Sequence, residues 1–314
     1  MYNNRVYVVD AKENWVCDRF AHEWLQNNTR ISTRNIEDAS TIWLLAGWRW
    51  NHISPDLLSK KKVVVTVHHI VPDKFDAEKK NEFKLRDQFV DLYHVPCQKT
   101  KDQIKKLTKK PIEVIPFWVN QNIWRPIEGK SELRKKYGIY EDVFLVGSFQ
   151  RDTEGSDLIS PKLEKGPDLF CDAVEKMSEE KKKEGKSLRV LLAGWRRQYV
   201  MARLHDAGIP YYYSELPSFE VLNELYNTLD LYIVASRYEG GPQSIVECAA
   251  TKTPIISTDV GLASNFLAKE SIFKPGKSGN AVVNTELPLE NISKILMPEG
   301  FEAFRKMFDF VHAL

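Results

Sequence analysis

Two glutamates that can bind hydroxyl groups lie eight positions apart, at the ends of the segment Glu239-Gly240-Gly241-Pro242-Gln243-Ser244-Ile245-Val246-Glu247. Gly240 and Gly241 allow the backbone to take positive φ and to approach a ligand closely. Pro242 suits the first turn of a helix, where its missing N–H does no harm. The segment therefore indicates a ligand-binding turn that leads into a helix.

The predicted helix points its free amides, from Gln243 and Ser244 onward, and its positive dipole end at the loop, which favours a diphosphate. Glu247 falls about one and a half turns into the helix, at ~3.6 residues per turn, where a carboxylate can accept hydrogen bonds from a ribose diol. Glu239 precedes the helix and can hold hydroxyls of a sugar beyond the phosphates. An incidental acidic helix after a glycine turn is the alternative, but the whole segment follows one apolar strand and precedes another, which favours a binding function.

The elements around this segment alternate between short apolar, β-branched runs and helical patterns, which is typical of parallel sheets covered by helices. Strands are predicted at residues 5–9, 41–45, 63–67, 92–95, 113–115, 143–148, 189–193, 231–234 and 254–257. Helices are predicted at residues 18–26, 100–107, 131–137, 167–177, 219–227, 242–251 and 301–313. The charged stretch 179–186 is interpreted as a solvated helix end and loop.

The composition favours a two-domain enzyme over a nucleic-acid binder. The chain has 314 residues, more than one domain usually holds, and its net charge is only +2. Its four cysteines are far apart and form no CxxC pair, so neither a disulfide framework nor a zinc site is expected. The chain starts without a visible signal peptide, and no apolar run reaches the ~20 residues that span a bilayer, so a cytoplasmic protein is expected.

The Glu239–Glu247 segment resembles the E-x7-E marker of glycosyltransferase family 4, a group of retaining enzymes with the GT-B fold. Two further stretches are similar to family motifs: Val114-Ile115-Pro116-Phe117-Trp118-Val119-Asn120 with Trp124-Arg125-Pro126, and Leu133-Arg134-Lys135-Lys136-Tyr137-Gly138. The resemblance implies an α/β fold of two Rossmann-like domains whose parallel sheets face each other across a cleft. We expect an N-terminal, acceptor-side domain at 1–126 and a nucleotide-sugar domain at 127–295. A C-terminal helix at 296–314 either crosses back to the first domain or caps the second.

The resemblance also assigns site residues in the second domain. Arg151, after the predicted strand that contains Gly147, and Lys165 match the Arg and Lys that neutralise the donor diphosphate. The spacer 152–164 is longer than the family's, so Lys162 is the alternative to Lys165. Gly194, with Trp195 and Arg196, follows another predicted strand and is a candidate lining of the nucleotide pocket; a packed surface tryptophan is the equal alternative.

In the first domain, the stretch Val63-Val64-Val65-Thr66-Val67-His68-His69 resembles the family's "TVH" motif. The resemblance places His68 beside the transferred sugar, with His69 as the alternative. The family's Gly-Gly loop after the first strand is replaced by Asp10-Ala11-Lys12-Glu13-Asn14-Trp15. Similarly, Thr258-Asp259-Val260-Gly261 matches a family motif but lacks its later glutamate.

The resemblance implies transfer of a hexose from a UDP-, GDP- or ADP-sugar to a hydroxyl of a carbohydrate, a lipid or a protein-linked glycan, with the anomeric configuration retained. No Asp-x-Asp motif is present, so neither a metal nor another cofactor is expected. A GT-B epimerase or hydrolase and a non-catalytic nucleotide-sugar-binding subunit are the alternatives. The lysine-rich stretch 99–110 is interpreted as a solvated helix, with peripheral contact to anionic lipid left open because its apolar face is small.

Overall fold

The computed structural model describes residues 4–13 and 15–314, which divide into two units. Unit 1 holds the described residues up to Trp118 together with Met297–Leu314, and unit 2 holds Val119–Leu296. Residues 119–126, which the sequence pattern placed in the first domain, pack in unit 2, where the Trp124 ring lies edge-on to Phe219 and Tyr226. Asn14 lies outside the described residues.

Unit 1 is built on a five-stranded parallel sheet in which each strand pairs with the next along the chain. Its strands are β1 (Val6–Val9), β2 (Thr41–Leu44), β3 (Lys62–Thr66), β4 (Leu92–Val95) and β5 (Ile112–Val114). Its first helices are α1 (Val16–Asn27), α2 (Pro55–Lys60), α3 (Ala77–Asp87) and α4 (Gln98–Ile104). The continuous apolar run in β3 is fully buried, as expected for a parallel strand covered on both faces.

Unit 2 is built on a six-stranded sheet in the order β11-β10-β9-β6-β7-β8, with all recorded pairings parallel. Its strands are β6 (Val143–Ser148), β7 (Ser187–Ala193), β8 (Tyr211–Ser214), β9 (Leu231–Val234), β10 (Ile255–Thr258) and β11 (Ile272–Phe273). Its helices are α5 (Lys130–Lys136), α6 (Pro167–Lys183), α7 (Gln198–Asp206), α8 (Phe219–Thr228), α9 (Gln243–Thr251), α10 (Ala263–Phe266) and α11 (Glu286–Asn291). The order changes direction at β6, and in such sheets ligands bind beyond the carboxyl ends of the strands.

The last helix, α12 (Glu302–Ala313), belongs to the core of unit 1. Its Phe308 ring packs against Trp24 of α1 and Trp43 of β2, with ring centroids 5.3 and 5.4 Å apart. Phe304 packs on Trp43 at 5.5 Å. The apolar stripe that predicts this helix is therefore buried against the first sheet, and the helix does not cap unit 2.

The predicted parallel α/β architecture is confirmed, whereas several elements were missed. The strands β8 and β11 and the helices α2, α3, α7, α10 and α11 had no prediction. Strand β8 is only half-buried and β11 has two residues, while α2, α10 and α11 have at most six residues and α3 has few apolar positions. Helix α6 extends to Lys183, so most of the charged stretch 179–186 is its C-terminal end. None of the helices in the described part of the chain combines the length and apolar character needed to cross a membrane.

Candidate nucleotide-sugar site

The predicted donor residues collect at one edge of the unit 2 sheet. Arg151 follows β6, Gly194 follows β7, and the segment that starts at Glu239 follows β9, while Gly261 follows β10. Because these four strands are parallel neighbours, their carboxyl ends share the same edge. Residues that are up to 110 positions apart in the sequence (151 to 261) are thus brought to one side of the sheet.

Lys165 and Glu239, which the sequence assigned to the phosphates and to the sugar, are in direct contact. The Lys165 Nζ atom lies 2.5 Å from Glu239 Oε1, and the two side chains are 21% and 8% exposed. The Ser236 Oγ atom lies 3.4 Å from the same carboxylate oxygen. The contact therefore places a cation and a shielded carboxylate at one point of the sheet edge.

A glycine next to Lys165 makes this contact possible. Gly166 has φ of 64°, and a Cβ built on it would lie 1.9 Å from the carbonyl oxygen of Ala235. Only glycine fits, so the backbone of residue 166 packs directly on the end of β9. The Lys165 carbonyl in turn accepts hydrogen bonds from Gln150 Nε2 at 2.8 Å and from Ser236 Oγ at 3.3 Å. Lys165 is thus tied to the loops that follow β6 and β9.

Two further cations, Arg151 and Lys162, lie near Lys165. The Arg151 Nε donates to the Thr153 carbonyl at 2.8 Å. Lys162 Nζ is 3.3 Å from Glu164 Oε1, a carboxylate that is 5% exposed. Burial lowers the pKa of Lys162 below its usual value, and the positive charges of Lys165 and Arg151 lower it further. The three cations are therefore close enough to interact.

The helix predicted after Gly241 is present as α9, with Pro242 as its N-cap residue at φ −60°. Gln243 and Ser244 form its first turn, and Gln243 Nε2 donates to the Gly241 carbonyl at 3.2 Å. Glu247 is 6% exposed, and its Oε2 accepts a hydrogen bond from the Tyr226 hydroxyl at 3.0 Å. Burial and the adjacent Glu247 carboxylate raise the pKa of Tyr226 well above its usual value, so the phenol stays a donor.

Gly240 and Gly241 do not adopt the positive φ that glycine allows. Neither is among the residues with positive φ, whereas Gly261, in the loop after β10, has φ of 47°. A Cβ on Gly261 would lie 2.5 Å from the Gly240 carbonyl oxygen and 2.8 Å from Pro242 Cδ. Gly261 therefore packs directly on the Gly240–Pro242 turn.

The two other predicted glycines have different surroundings. A Cβ on Gly147 would lie 2.3 Å from Leu229 Cδ1, so this residue allows close packing within unit 2. Gly194 has φ of 92° at the end of β7, and its carbonyl accepts from the Tyr213 hydroxyl at 3.0 Å. The indole of Trp195 beside it is 49% exposed, with the Arg196 and Arg151 guanidinium groups 4.2 and 5.9 Å from the ring.

A buried ion pair, which the sequence pattern did not predict, joins two strand ends at this edge of the sheet. Arg197 is fully buried, and its Nε donates to Asp152 Oδ2 at 2.9 Å. The same guanidinium donates to the Ala193 carbonyl at 2.9 Å and to the Ser148 hydroxyl at 3.1 Å. Burial raises the pKa of Asp152, and the Arg197 charge counteracts that rise. The pair fastens the ends of β6 and β7 together, and its partners are 45 residues apart, so no local pattern signals it.

In unit 1, His68 follows β3 as predicted and is held by backbone and aromatic contacts. Its Nε2 lies 3.0 Å from the Leu45 carbonyl oxygen and 3.6 Å from the Cys17 sulfur. Its ring stacks on Phe117 at 5.8 Å and lies 6.0 Å from the Trp48 indole. The carbonyl acceptor favours the tautomer with a proton on Nε2. The neighbouring His69 is partly exposed.

A protein-family model covers a large part of unit 2. The family model described as Glycosyl transferases group 1 matches residues 157–295, the region that contains Lys165, Glu239 and Glu247. A search of curated proteins by sequence finds no match.

Solved structures of glycosyltransferases share the fold of the whole chain. HepE from Anabaena, in complex with UDP and glucose, is 10% identical with a TM-score of 0.74, and the alignment covers 100% of both chains. A glycosyltransferase from Rickettsia africae is 14% identical, with a TM-score of 0.68 over 99% of both chains. Sucrose-phosphate synthase from Thermosynechococcus elongatus is 15% identical, with a TM-score of 0.66 over 93% of this chain and 78% of its own.

The predicted GT-B fold is thereby confirmed, while the narrower assignment to family 4 stays a prediction. The chain has the GT-B fold, and its residues 157–295 match the family model Glycosyl transferases group 1.

Proposed function

We propose that the chain transfers a hexose from a nucleoside diphosphate sugar to a hydroxyl of a carbohydrate acceptor, with retention of configuration and without a metal ion. The observation that carries this proposal is the 2.5 Å contact between Lys165 and Glu239 beside Arg151 and Lys162. A donor has its negative charge and its sugar hydroxyls adjacent to each other. Cations and a shielded carboxylate in contact match that arrangement.

Different residues of the site bind the ribose, the diphosphate and the sugar of the donor. Glu247, oriented by the Tyr226 hydroxyl, accepts hydrogen bonds from the ribose diol. The N-terminus of α9 and the cations Arg151 and Lys165 bind the diphosphate, since helix N-termini and cations both favour anions. Glu239 holds hydroxyls of the sugar. UDP is our first choice of nucleotide, because HepE, with the same fold, was crystallised with UDP and glucose.

The proposed chemistry is a substitution on one face of the sugar. The bond between the anomeric carbon and the phosphate oxygen breaks, and the acceptor oxygen bonds to the same face. The departing phosphate oxygen takes the acceptor's proton. Arg151, Lys165 and the α9 dipole stabilise the charge that develops on the phosphate, which is the contribution a divalent metal makes in other enzymes. Metal independence rests on this cation set, and His68 stays a predicted contact to the transferred sugar.

The stereochemical outcome tests the proposal without knowledge of the natural acceptor. We would incubate the protein with UDP-α-glucose, UDP-α-galactose or UDP-α-N-acetylglucosamine in EDTA and follow slow transfer to water by proton NMR. We expect the α anomer to appear first from one donor. Lys165→Ala should lose this activity, whereas Lys183→Ala, which changes an exposed lysine at the end of α6, should keep it.

Three results would count against parts of the proposal. First appearance of the β anomer would refute retention, and loss of activity in EDTA with recovery in Mg²⁺ would refute metal independence. Release of a C2-epimerised sugar, with no transfer to any hydroxyl, would replace the transferase with an epimerase.

A further inference from the structure

An exposed tryptophan stands at the carboxyl edge of the unit 1 sheet. Strand β2 ends at Leu44, and the 3-10 turn Gly47–His52 follows it. The Trp48 side chain on this turn is 46% exposed, whereas Trp24 and Trp43 in the same unit are fully buried. An indole that is not needed for the core, placed where parallel sheets bind ligands, is a candidate contact surface.

The turn that carries Trp48 is firmly anchored. A Cβ on Gly47 would lie 2.8 Å from the Thr66 carbonyl oxygen, so the turn packs directly on the end of β3. Arg86 donates to the Gly47 carbonyl at 3.2 Å, and Arg49 donates to the Ala11 carbonyl at 3.1 Å. A ligand that stacks on this indole therefore loses little free energy to ordering the protein.

The neighbour of Trp48 at this edge is His68. The two rings are 6.0 Å apart and inclined by 51°. His68 is itself fixed by the Leu45 carbonyl and by stacking on Phe117. A pyranose ring has an apolar face of C–H groups and a rim of hydroxyls, so an aromatic face beside a polar imidazole is complementary to it.

The adjacent loop after β1 disfavours an anionic ligand. Its backbone amides at Ala11, Lys12 and Glu13 donate to the Asp18 carboxylate at 2.8, 2.9 and 2.7 Å. Successive amides of this kind are common ligands of phosphate, and here they already bind an anion of the chain itself. The loop segment 10–18 also carries three acidic residues, Asp10, Glu13 and Asp18, against the single base Lys12.

We propose that Trp48 selects the acceptor by stacking on the face of an uncharged sugar ring, and that this edge of unit 1 discriminates against phosphorylated sugars. The inference rests on the proposed glycosyl transfer and names the chemistry of the acceptor. Trp48 is a specificity residue in this account, and Asp18 is a positioning residue that holds the loop and keeps its amides from binding phosphate.

Binding without the donor provides the test. We would record saturation-transfer difference NMR of the full chain with the methyl glycosides of glucose, galactose, mannose and N-acetylglucosamine, and with the 6-phosphate of each. At least one neutral glycoside should bind saturably, and its 6-phosphate should bind at least threefold more weakly. Trp48→Ala should weaken the neutral glycoside by about tenfold, the loss expected for one aromatic contact, and Trp48→Phe should retain most of the binding.

Phe310→Ala is the matched control, because Phe310 is 44% exposed in the same unit and lies on α12. The proposal is overturned if no glycoside binds, if Trp48→Ala binds like the wild type, or if the 6-phosphates bind more tightly. UDP binding, measured separately by thermal shift, should be unchanged in Trp48→Ala. A wild type that binds glycosides but no nucleotide would contradict the proposed function, whereas the proposed stacking of a sugar on Trp48 would still hold.

Discussion

Replacing Gly261 by alanine should damage the donor site through a single backbone contact. The new Cβ would lie 2.5 Å from the Gly240 carbonyl oxygen, and real Cβ atoms essentially never come closer than 3.0 Å to such a neighbour. The difference, 3.0 − 2.5, requires the Gly240–Pro242 turn or the Gly261 loop to move by at least 0.5 Å. This turn directly precedes α9, so the displacement reaches the helix N-terminus that is proposed to bind the diphosphate.

The size of the effect follows from two separate costs. Alanine at the positive φ of 47° loses roughly 1–2 kcal/mol relative to glycine. Forcing an extra carbon into a packed contact adds roughly 1–3 kcal/mol. A misplacement of about 1 Å near the chemistry can cost on the order of a hundredfold in activity, so about half that displacement should cost roughly tenfold.

A matched glycine separates the two costs. Gly276 has φ of 76°, and a Cβ there would meet nothing within 4 Å. Gly276→Ala should therefore show the conformational loss alone, without weaker UDP binding. Urea unfolding would give the stability of both variants, and calorimetric titration of UDP would give their affinity. The rate of sugar release from the donor would give the activity, in which the roughly tenfold loss is expected.

Equal behaviour of the two variants would refute the reasoning. If Gly261→Ala loses no more stability than Gly276→Ala, the contact with Gly240 is not as tight as described. If its stability falls but UDP binds as in the wild type, the Gly240–Pro242 turn does not contribute to the nucleotide site.

Three other predictions concern single side chains. Lys165→Ala removes the partner, at 2.5 Å, of the Glu239 carboxylate, whose side chain is 8% exposed, and it should lower the free energy of unfolding by about 1–3 kcal/mol. It should also weaken UDP binding more than Lys162→Ala does. Equal losses of UDP affinity in the two variants would contradict the assignment of Lys165 to the diphosphate. Burial lowers the pKa of His94 from 6.5 to about 3, so the unfolded chain binds a proton that the folded chain does not bind between these values. Stability should fall below pH 6.5, by about 2 kcal/mol at pH 5 from this residue, and NMR should show a neutral ring at pH 5. Burial with nearby acidic residues raises the pKa of the Cys17 thiol to about 12, so native protein at pH 8 should resist iodoacetamide at Cys17 while urea-unfolded protein is labelled.

The sequence predicts most strongly what depends on local pattern. The buried strand β3 and the helix α9 follow from periodicity and from Pro242, and both are present at the expected places. The placement of Glu239 after the strand Leu231–Val234 also predicts its region of the sheet. The direct contact of Glu239 with Lys165 is not predictable, because it depends on the positive φ of Gly166 and on its packing against Ala235.

Features that depend on tertiary contacts could not be predicted from the sequence. The close packing of Gly261 on the Gly240–Pro242 turn has no local signal, because Gly261 follows the neighbouring strand. The buried ion pair of Arg197 and Asp152 has no signal in the sequence either, because an arginine and an aspartate that are far apart in the sequence usually lie at the surface. Both features are long-range contacts between loops that only the sheet order brings together.

The central claim is that unit 2 binds a nucleoside diphosphate through Glu247, and calorimetric titration of UDP, GDP and ADP tests it most directly. The wild type should bind one of the three, and Glu247→Gln should bind it at least tenfold more weakly, or about 1.4 kcal/mol, as expected for loss of a charged hydrogen-bond acceptor. Glu290→Gln, a change of an exposed glutamate on α11, should bind like the wild type. Failure of all three nucleotides to bind the wild type, or unchanged affinity in Glu247→Gln, would contradict the account.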